Sequence, residues 1–303
     1  MHHSAFAPAK INLLLAITGA RPDGFHSLVS LVAPIALGDT LHLTLNARDA
    51  TAPTAPMPPQ DTLACDYPGV PLDGTNLVLK AVAAFREKFP ALPATHFVLE
   101  KRVPHGAGLG GGSSDAACAL RLLNDATGHP LDAATLVALA ARLGSDCPLF
   151  LDGKPVIMRG RGERIEPLTA PEADALRGRR LLLFKPAFGV STAAAYGAMR
   201  ASNGTDYIAE ADAEARLAAW RTAPASAPLP LFNNMERPVF AKHLALPALL
   251  EQLRRDFALA PRMSGSGSAC FAFLPDGTDA AATTAAIRAA WGESAFVCET
   301  ALL

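Results

Sequence analysis

Apolar positions along the chain fall into two rhythms, one of period two and one near 3.6. Residues 8–18 form an apolar run interrupted by Lys10 and Asn12, which predicts a buried first strand. A turn is expected at Arg21-Pro22-Asp23-Gly24, where Pro and Asp-Gly stand in turn-forming order. Further strands are predicted over 26–37 and 40–46, and residues 47–62, rich in Ala, Pro and Thr, read as a mobile loop. From Asn76 to Phe89 the residues Leu77, Ala81, Ala84 and Phe85 share one helical face. Residues 95–103 alternate, with His96, Val98 and Glu100 opposed to Phe97, Leu99 and Lys101, the pattern of a half-buried strand. A glycine loop at 106–112 leads into a helix from about 113 to 126. Asp132 is expected to cap the next helix, with Leu136, Leu139, Ala140 and Leu143 on its apolar face and Gly144 as its stop.

Beyond Pro155 the signal weakens through a stretch dense in Arg and Gly that ends at Pro186, with Leu181–Phe184 as a buried strand inside it. Helices are predicted over 211–221, 243–257 and 279–291, a strand over Ala269–Leu274, and a connector over 222–230. No internal repeat is visible. Strands and helices mix without strict alternation, so the fold class is α+β in two lobes rather than a doubly wound sheet.

Composition narrows the function. The chain has 303 residues, half of them apolar and 18% charged, enough for a full core in one large or two ordinary domains. Lys and Arg number 27 against 28 Asp and Glu, which excludes the basic footprint of a general nucleic-acid binder but leaves room for a small anionic ligand. Five cysteines without a C-x-x-C pair suggest neither a disulfide framework nor a zinc site, and no metal held by protein ligands alone is expected; a reducing, cytoplasmic setting fits. No apolar run approaches the ~18 residues of a membrane helix. Ile11–Ile17 resembles a short signal-peptide core, but Asn12 interrupts it and His2 and His3 make a weak leading region.

Chemistry concentrates at Lys101-Arg102-Val103-Pro104-His105-Gly106-Ala107-Gly108-Leu109-Gly110-Gly111-Gly112-Ser113-Ser114-Asp115. Glycines let backbone N–H groups approach an anion, and a helix N-terminus adds free amides and partial positive charge. Ser113 and Ser114 can cap the helix or offer hydroxyls to a phosphate or a metal. The plain alternative is a flexible loop with a serine cap. A Walker loop requires Gly-Lys-Ser/Thr, and Gly112 is followed by Ser113. Gly106, Gly108 and Gly111 match G-x-G-x-x-G, but the strand before them carries Glu100, Lys101 and Arg102 instead of a continuous apolar run. A second cluster, Met263-Ser264-Gly265-Ser266-Gly267-Ser268, suggests two backbones meeting around one polyphosphate. Lys10 and Asp146 supply an ammonium and a carboxylate, the pair that phosphoryl transfer to an alcohol needs; singly, each also reads as a solvated strand end or a turn carboxylate.

Pro8-Ala9-Lys10-Ile11-Asn12-Leu13, the 106–114 loop and Met263–Ala269 resemble, in order, the three motifs of the GHMP kinases, the family of galactokinase, homoserine kinase, mevalonate kinase and phosphomevalonate kinase. The resemblance covers nearly the whole chain. It implies a two-lobed GHMP kinase fold: an N-terminal ATP-binding and catalytic lobe over 1–165 with a left-handed βαβ unit, and a ferredoxin-like C-terminal lobe over 166–303. It implies ATP and Mg²⁺ as cofactors, a small-molecule acceptor, no nucleic-acid or membrane partner, and a monomer or homodimer. The stretches 19–28, 76–78, 144–150, 188–192 and 233–236 are most similar to members whose acceptor is diphosphocytidyl methylerythritol. On that likeness Asp146 is the base and Lys10 its partner. Asn12 and Thr192 face the erythritol-phosphate end, and His26 bonds the cytosine with Phe25 and Tyr196 stacking on it. Gly265 and Ser266 also touch the acceptor. Pro104, Gly106, Gly108, Leu109, Gly110, Gly111, Gly112, Ser113 and Ser114 hold the ATP phosphates, and Asn76 lies near the adenine. Without the likeness, His26 reads as a turn histidine and Phe25 and Tyr196 as core aromatics. Three departures stand out. Phe25 occupies a place usually held by Tyr, Ser145-Asp146-Cys147-Pro148 replaces the commoner Ala-Asp-Val-Pro, and the 47–62 loop is longer and richer in Pro. A homoserine or mevalonate type of kinase, or an inactive sensor on the same fold, are the rival readings.

Overall fold

A computed structural model describes residues 2–46, 60–223, 227–275 and 277–303. Its elements run β1 (His2–Ala20), β2 (His26–Asn46), β3 (Thr62–Cys65), α1 (Leu77–Lys88), β4 (Ala94–Glu100), α2 (Gly111–Ala126), α3 (Ala133–Leu143), α4 (Leu149–Asp152), β5 (Val156–Gly160), β6 (Arg164–Pro167), α5 (Ala170–Leu176), β7 (Arg180–Lys185), α6 (Thr192–Ala201), α7 (Glu210–Thr222), β8 (Phe232–Asn233), α8 (Glu236–Lys242), α9 (Ala245–Phe257), β9 (Arg262–Met263), β10 (Cys270–Phe273), α10 (Ala280–Trp291) and β11 (Phe296–Ala301). By packing they form two units. One takes the residues up to Ala9 with Leu37–Val103 and Gly110–Gly153; the other takes Lys10–Ala36, Pro104–Leu109 and Lys154–Leu303. None of the helices is long and apolar enough to cross a membrane, among the described residues.

In the first unit β4 lies between β3 and β2. β3 runs parallel to β4, from Thr62 opposite His96 to Cys65 opposite Leu99, and α1 joins them, forming the expected βαβ unit. β4 is antiparallel to β2, from Thr40 opposite Glu100 to Asn46 opposite Ala94. The alternation expected in β4 holds: Thr95, Phe97 and Leu99 are buried, and Phe97 and Leu99 meet Val82 and Phe85 of α1, Leu120 and Leu123 of α2 and Leu139 of α3 in one apolar cluster. Most of the predicted 47–62 loop, residues 47–59, lies outside the described residues, and from Thr62 the chain is strand.

The two strands predicted over 26–37 and 40–46 are one, β2. Gly38-Asp39 looks turn-prone in sequence, but tertiary contacts hold it extended. A Cβ on Gly38 would lie 2.5 Å from the Ala7 carbonyl oxygen, and Asp39 is wholly buried, accepting the backbone N–H groups of Arg102 at 2.6 Å and Val103 at 2.8 Å. The helix expected from residue 113 begins two residues earlier, because Gly110 takes the left-handed conformation (φ 72°) that turns the chain into it.

In the second unit β1 is flanked by β8, to which it is parallel at Leu14–Phe232 and Leu15–Asn233, and by β2. β2 pairs antiparallel with β5, and β5 with β6. This hairpin, α5 and β7 fill the Arg- and Gly-rich stretch, which forms ion pairs with α7: Arg159 bonds Glu214, and also Glu166 within the stretch, each at 2.6 Å, and Glu172 bonds Arg221 at 2.8 Å. A second sheet has the order β11-β7-β10-β9, with each neighbouring pair antiparallel. Counted along the chain that is 4-1-3-2, the ferredoxin-like order, with α10 between its last two strands. Leu182, Phe184, Met199, Leu250, Leu253 and Ile287 pack in its core. Within the predicted connector, residues 224–226 lie outside the described residues.

Candidate active site

Positions i and i+2 of a strand share a face, so Lys10 and Asn12 of β1 stand side by side. Each is only 6% exposed. A buried ammonium requires hydrogen-bond partners. Lys10 Nζ donates to Asn12 Oδ1 at 2.6 Å, Asn12 Nδ2 donates to Ser30 Oγ at 2.9 Å, and Ser30 Oγ donates to the Leu14 carbonyl at 2.6 Å. The Asn12 amide is therefore fixed with its oxygen toward the lysine.

The two glycine clusters meet each other, as their sequences suggested, and both also contact the strand that carries this pair. The Lys10 N–H donates to Leu109 O at 3.0 Å, and the Ala269 N–H to Ala107 O at 3.1 Å. Ser264 Oγ accepts from the Asn12 N–H at 3.3 Å and donates to Gly108 O at 3.4 Å. The approach depends on glycine: Gly108 has φ 77°, and a Cβ there would lie 2.5 Å from Ser264 O. Thr192 and Ser266 join through their hydroxyls at 2.8 Å. Gly265 is held from behind, its carbonyl taking a hydrogen bond from Asn233 Nδ2 at 2.9 Å, while the same amide nitrogen reaches Met263 O at 2.8 Å. Glu236 accepts the Met263 N–H at 2.9 Å; burial pushes its carboxyl pKa up, partly offset by that bond and by Arg262. Ser30, Asn233, Glu236 and Ser264 are supports that sequence reasoning did not assign. The Asn-Asn-Met-Glu stretch was the signal available for two of them.

The Arg21–Gly24 turn forms as predicted, with Gly24 at φ 86° and its N–H donating to Arg21 O at 3.2 Å. Phe25, just after it, is 48% exposed, with the Arg161 guanidinium carbon 5.0 Å from its ring centroid. Arg200 donates to Gly24 O at 2.7 Å. His26 is buried; its ring lies 4.8 Å from that of Tyr196 on α6 and 5.9 Å from that of Tyr207. Burial, and then the nearby Arg200 charge, lower the His26 pKa below its ordinary value, so the imidazole is neutral at pH 7.

In the first unit the start of α2 corrects one expectation. Gly110 occupies the capping position and neither serine caps the helix. The N–H groups of the first turn, at Gly111, Gly112 and Ser113, have no acceptor within the helix, and the Ser114 N–H is the first to close on Gly110 O, at 2.9 Å. Ser114 Oγ is buried without a protein partner. Beneath this turn Lys101 bridges Asp39 and Asp115, the latter at 3.0 Å, with all three side chains at most 5% exposed. Burial pushes the Asp115 carboxyl up to about 7 against the pull of Lys101, and Asp39 adds to the rise. Asp146 lies half-buried in the turn between α3 and α4. The neighbouring Cys147 thiol is pushed up to about 11 by burial, and Ser113 beside it opposes that shift, so the Asp146 turn sits against the first turn of α2. Asn76 caps α1, its Oδ1 accepting from the Val78 N–H at 2.8 Å and its Nδ2 donating to Pro71 O at 2.7 Å. Pro104 follows Val103, whose N–H Asp39 holds.

The family models for the GHMP kinases N terminal domain and the GHMP kinases C terminal match residues 76–154 and 221–293, and the chain belongs to the GHMP kinases. Among its relatives, the 4-diphosphocytidyl-2-C-methyl-D-erythritol kinase of Gloeobacter violaceus is 39% identical over 97% of this chain and 93% of its own. A crystal structure of 4-(cytidine 5'-diphospho)-2C-methyl-D-erythritol kinase superposes with a TM-score of 0.76 at 33% identity, over 99% of both chains. A homoserine kinase from Cytophaga hutchinsonii shares the fold, with a TM-score of 0.70 at 16% identity over 99% of this chain and 95% of its own.

Proposed function

We propose that the chain transfers the γ-phosphoryl group of ATP to the 2-hydroxyl of 4-diphosphocytidyl-2-C-methyl-D-erythritol, a step toward isoprenoid precursors. The observation that carries this reading is the hydrogen-bonded set uniting Lys10, Asn12, the 106–109 and 264–269 backbones and the Thr192–Ser266 pair. Asp146 takes the hydroxyl proton as that oxygen attacks the γ-phosphorus and ADP departs; Lys10 steadies the developing charge. Asn12, Thr192, Gly265 and Ser266 hold the erythritol-phosphate end. His26 bonds the cytosine, and Phe25 and Tyr196 stack on it. Residues 104 and 106–114 receive the ATP phosphates, with Asn76 at the adenine. The catalytic, ATP-binding part of the sequence runs to about residue 165, between the two family-model matches.

Magnesium, bound with ATP, neutralises phosphate charge. Hard cations take oxygen ligands, and the partnerless Ser114 hydroxyl at the start of α2, with Ser113 beside it, fits that chemistry. No cluster of three His, Cys, Asp or Glu that could hold an ion stands among the described residues. Five free cysteines agree with a cytoplasmic setting.

The deciding experiment offers purified protein ATP, Mg²⁺ and, in turn, the diphosphocytidyl alcohol, homoserine and mevalonate. ADP release is expected with the first alone. Comparable turnover of either other alcohol favours a different GHMP kinase, and turnover of none favours a sensor.

A further inference from the structure

Two buried polar atoms on neighbouring rings have no partner within the protein: His26 Nε2 and the Tyr207 hydroxyl. Their rings lie 5.9 Å apart, and the Tyr196 ring covers His26 from 4.8 Å. A buried polar atom left without a hydrogen bond is costly, and such atoms in native structures call for a partner. Two of them on neighbouring rings point to a partner that offers a hydrogen-bonding atom to each.

Tyr207 is also held in place as a site residue has to be. The Ile208 N–H donates to Ile17 O of β1 at 3.3 Å. Asn234 donates from Nδ2 to both Ile17 O and Asp206 O, each at 2.8 Å, and accepts the Ile17 N–H at 2.8 Å. Asp206 in turn pairs with Arg237 at 3.1 Å. Anchors on both sides of Tyr207 therefore tie it to the strand that carries Lys10 and Asn12. An aromatic residue needed only to fill the core would be served as well by Phe, without a stranded hydroxyl.

We infer that Tyr207 is a further base-binding residue, whose hydroxyl shares with His26 the hydrogen-bonding edge of the substrate's pyrimidine; this deepens the function proposed above and rests on it. A neutral imidazole offers one donor and one acceptor nitrogen, and a phenol offers both roles from one atom. The edge of cytosine presents adjacent acceptor and amino groups that match such a pair. The Tyr196 ring lies against His26 at 4.8 Å, so the base would reach His26 as that ring moves onto the base's open face, the stacking role already assigned to Tyr196.

Tyr207→Phe removes the hydroxyl and nothing else. Because that oxygen has no protein partner, the melting temperature should hold or rise. The KM for the diphosphocytidyl alcohol should increase roughly 3- to 30-fold, as loss of one hydrogen bond to substrate allows. The KM for ATP, and kcat at saturation, should stay within about twofold. An unchanged acceptor KM in Tyr207→Phe overturns the inference while wild-type turnover of that acceptor upholds the function. A lowered melting temperature with both KM values raised together assigns the hydroxyl a structural role and also overturns it. A wild-type enzyme indifferent to the diphosphocytidyl alcohol overturns both.

Discussion

Lys10 and Asp146 carry the sharpest chemical prediction. Asp146→Asn keeps the shape of the side chain and removes its capacity to accept a proton. A positioned base contributes ~10²- to 10⁴-fold, so kcat should fall on that scale with little change in acceptor affinity. Lys10→Met should lower kcat as well; steady-state kinetics check both, and a near-normal kcat in Asp146→Asn places the base elsewhere. The Lys101 cluster governs stability instead. Lys101→Met strands two buried carboxylates and should cost about 3–5 kcal/mol, read by denaturant unfolding. Asp115 has a folded pKa raised to about 7, above the ordinary Asp value. Its contribution to stability is full at acid pH and is lost as pH rises through about 7. Between pH 4 and 7 the wild type should therefore lose stability relative to Asp115→Asn, on the order of 4 kcal/mol, with little further change above pH 7. Parallel melting curves would show that Asp115 does not titrate there. Lys10, Asn12 and His26 could be singled out as candidates because each lies within a local motif. Lys101, Asp39 and Asp115 were not, since the ion pair joins residues 62 positions apart and no local pattern announces it.

At the level of elements, the start of α2 concentrates the consequences of glycine. Gly110 sits at φ 72°, a conformation in which a β-branched residue is a genuine outlier. Gly110→Val should rotate the first-turn N–H groups away from an anion and weaken ATP binding by roughly tenfold or more, while acceptor binding changes little. Calorimetric titration of each ligand into a folded variant tests this, and an untouched ATP affinity removes the loop from phosphate binding. Helices with clear amphipathic spacing, α1, α3 and α9, were readable from the chain, as was the alternation of β4. The sequence reading missed α6, where Thr192-Ala193-Ala194-Ala195-Tyr196-Gly197-Ala198 offers little apolar contrast and the start is set by Ser191 accepting from the Ala194 N–H at 3.3 Å. It also missed β3 and β11, short strands that exist because neighbours pair with them: β4 beside β3, and β7 beside β11.

For the molecule as a whole, mixed strands and helices in two lobes were enough to indicate α+β, and the 4-1-3-2 sheet agrees with the ferredoxin-like expectation. The strand register was not accessible, because it depends on partners distant in sequence. Leu14 of β1 pairs with Phe232, and Ile35 of β2 bridges to Leu302. Those pairings set a timetable for biosynthesis. At ~5–20 residues per second, a ribosome that has made Leu14 takes roughly 10–40 s to deliver Phe232, and longer to deliver Leu302. Until then the apolar run from Leu13 to Ile17 has no completed sheet to join and is exposed to aggregation and to chaperones. Long-range pairing of this kind also slows folding after release. The strand bearing Lys10 and Asn12 is among the earliest parts of the chain to be made, yet its β8 neighbour comes only after more than two hundred further residues.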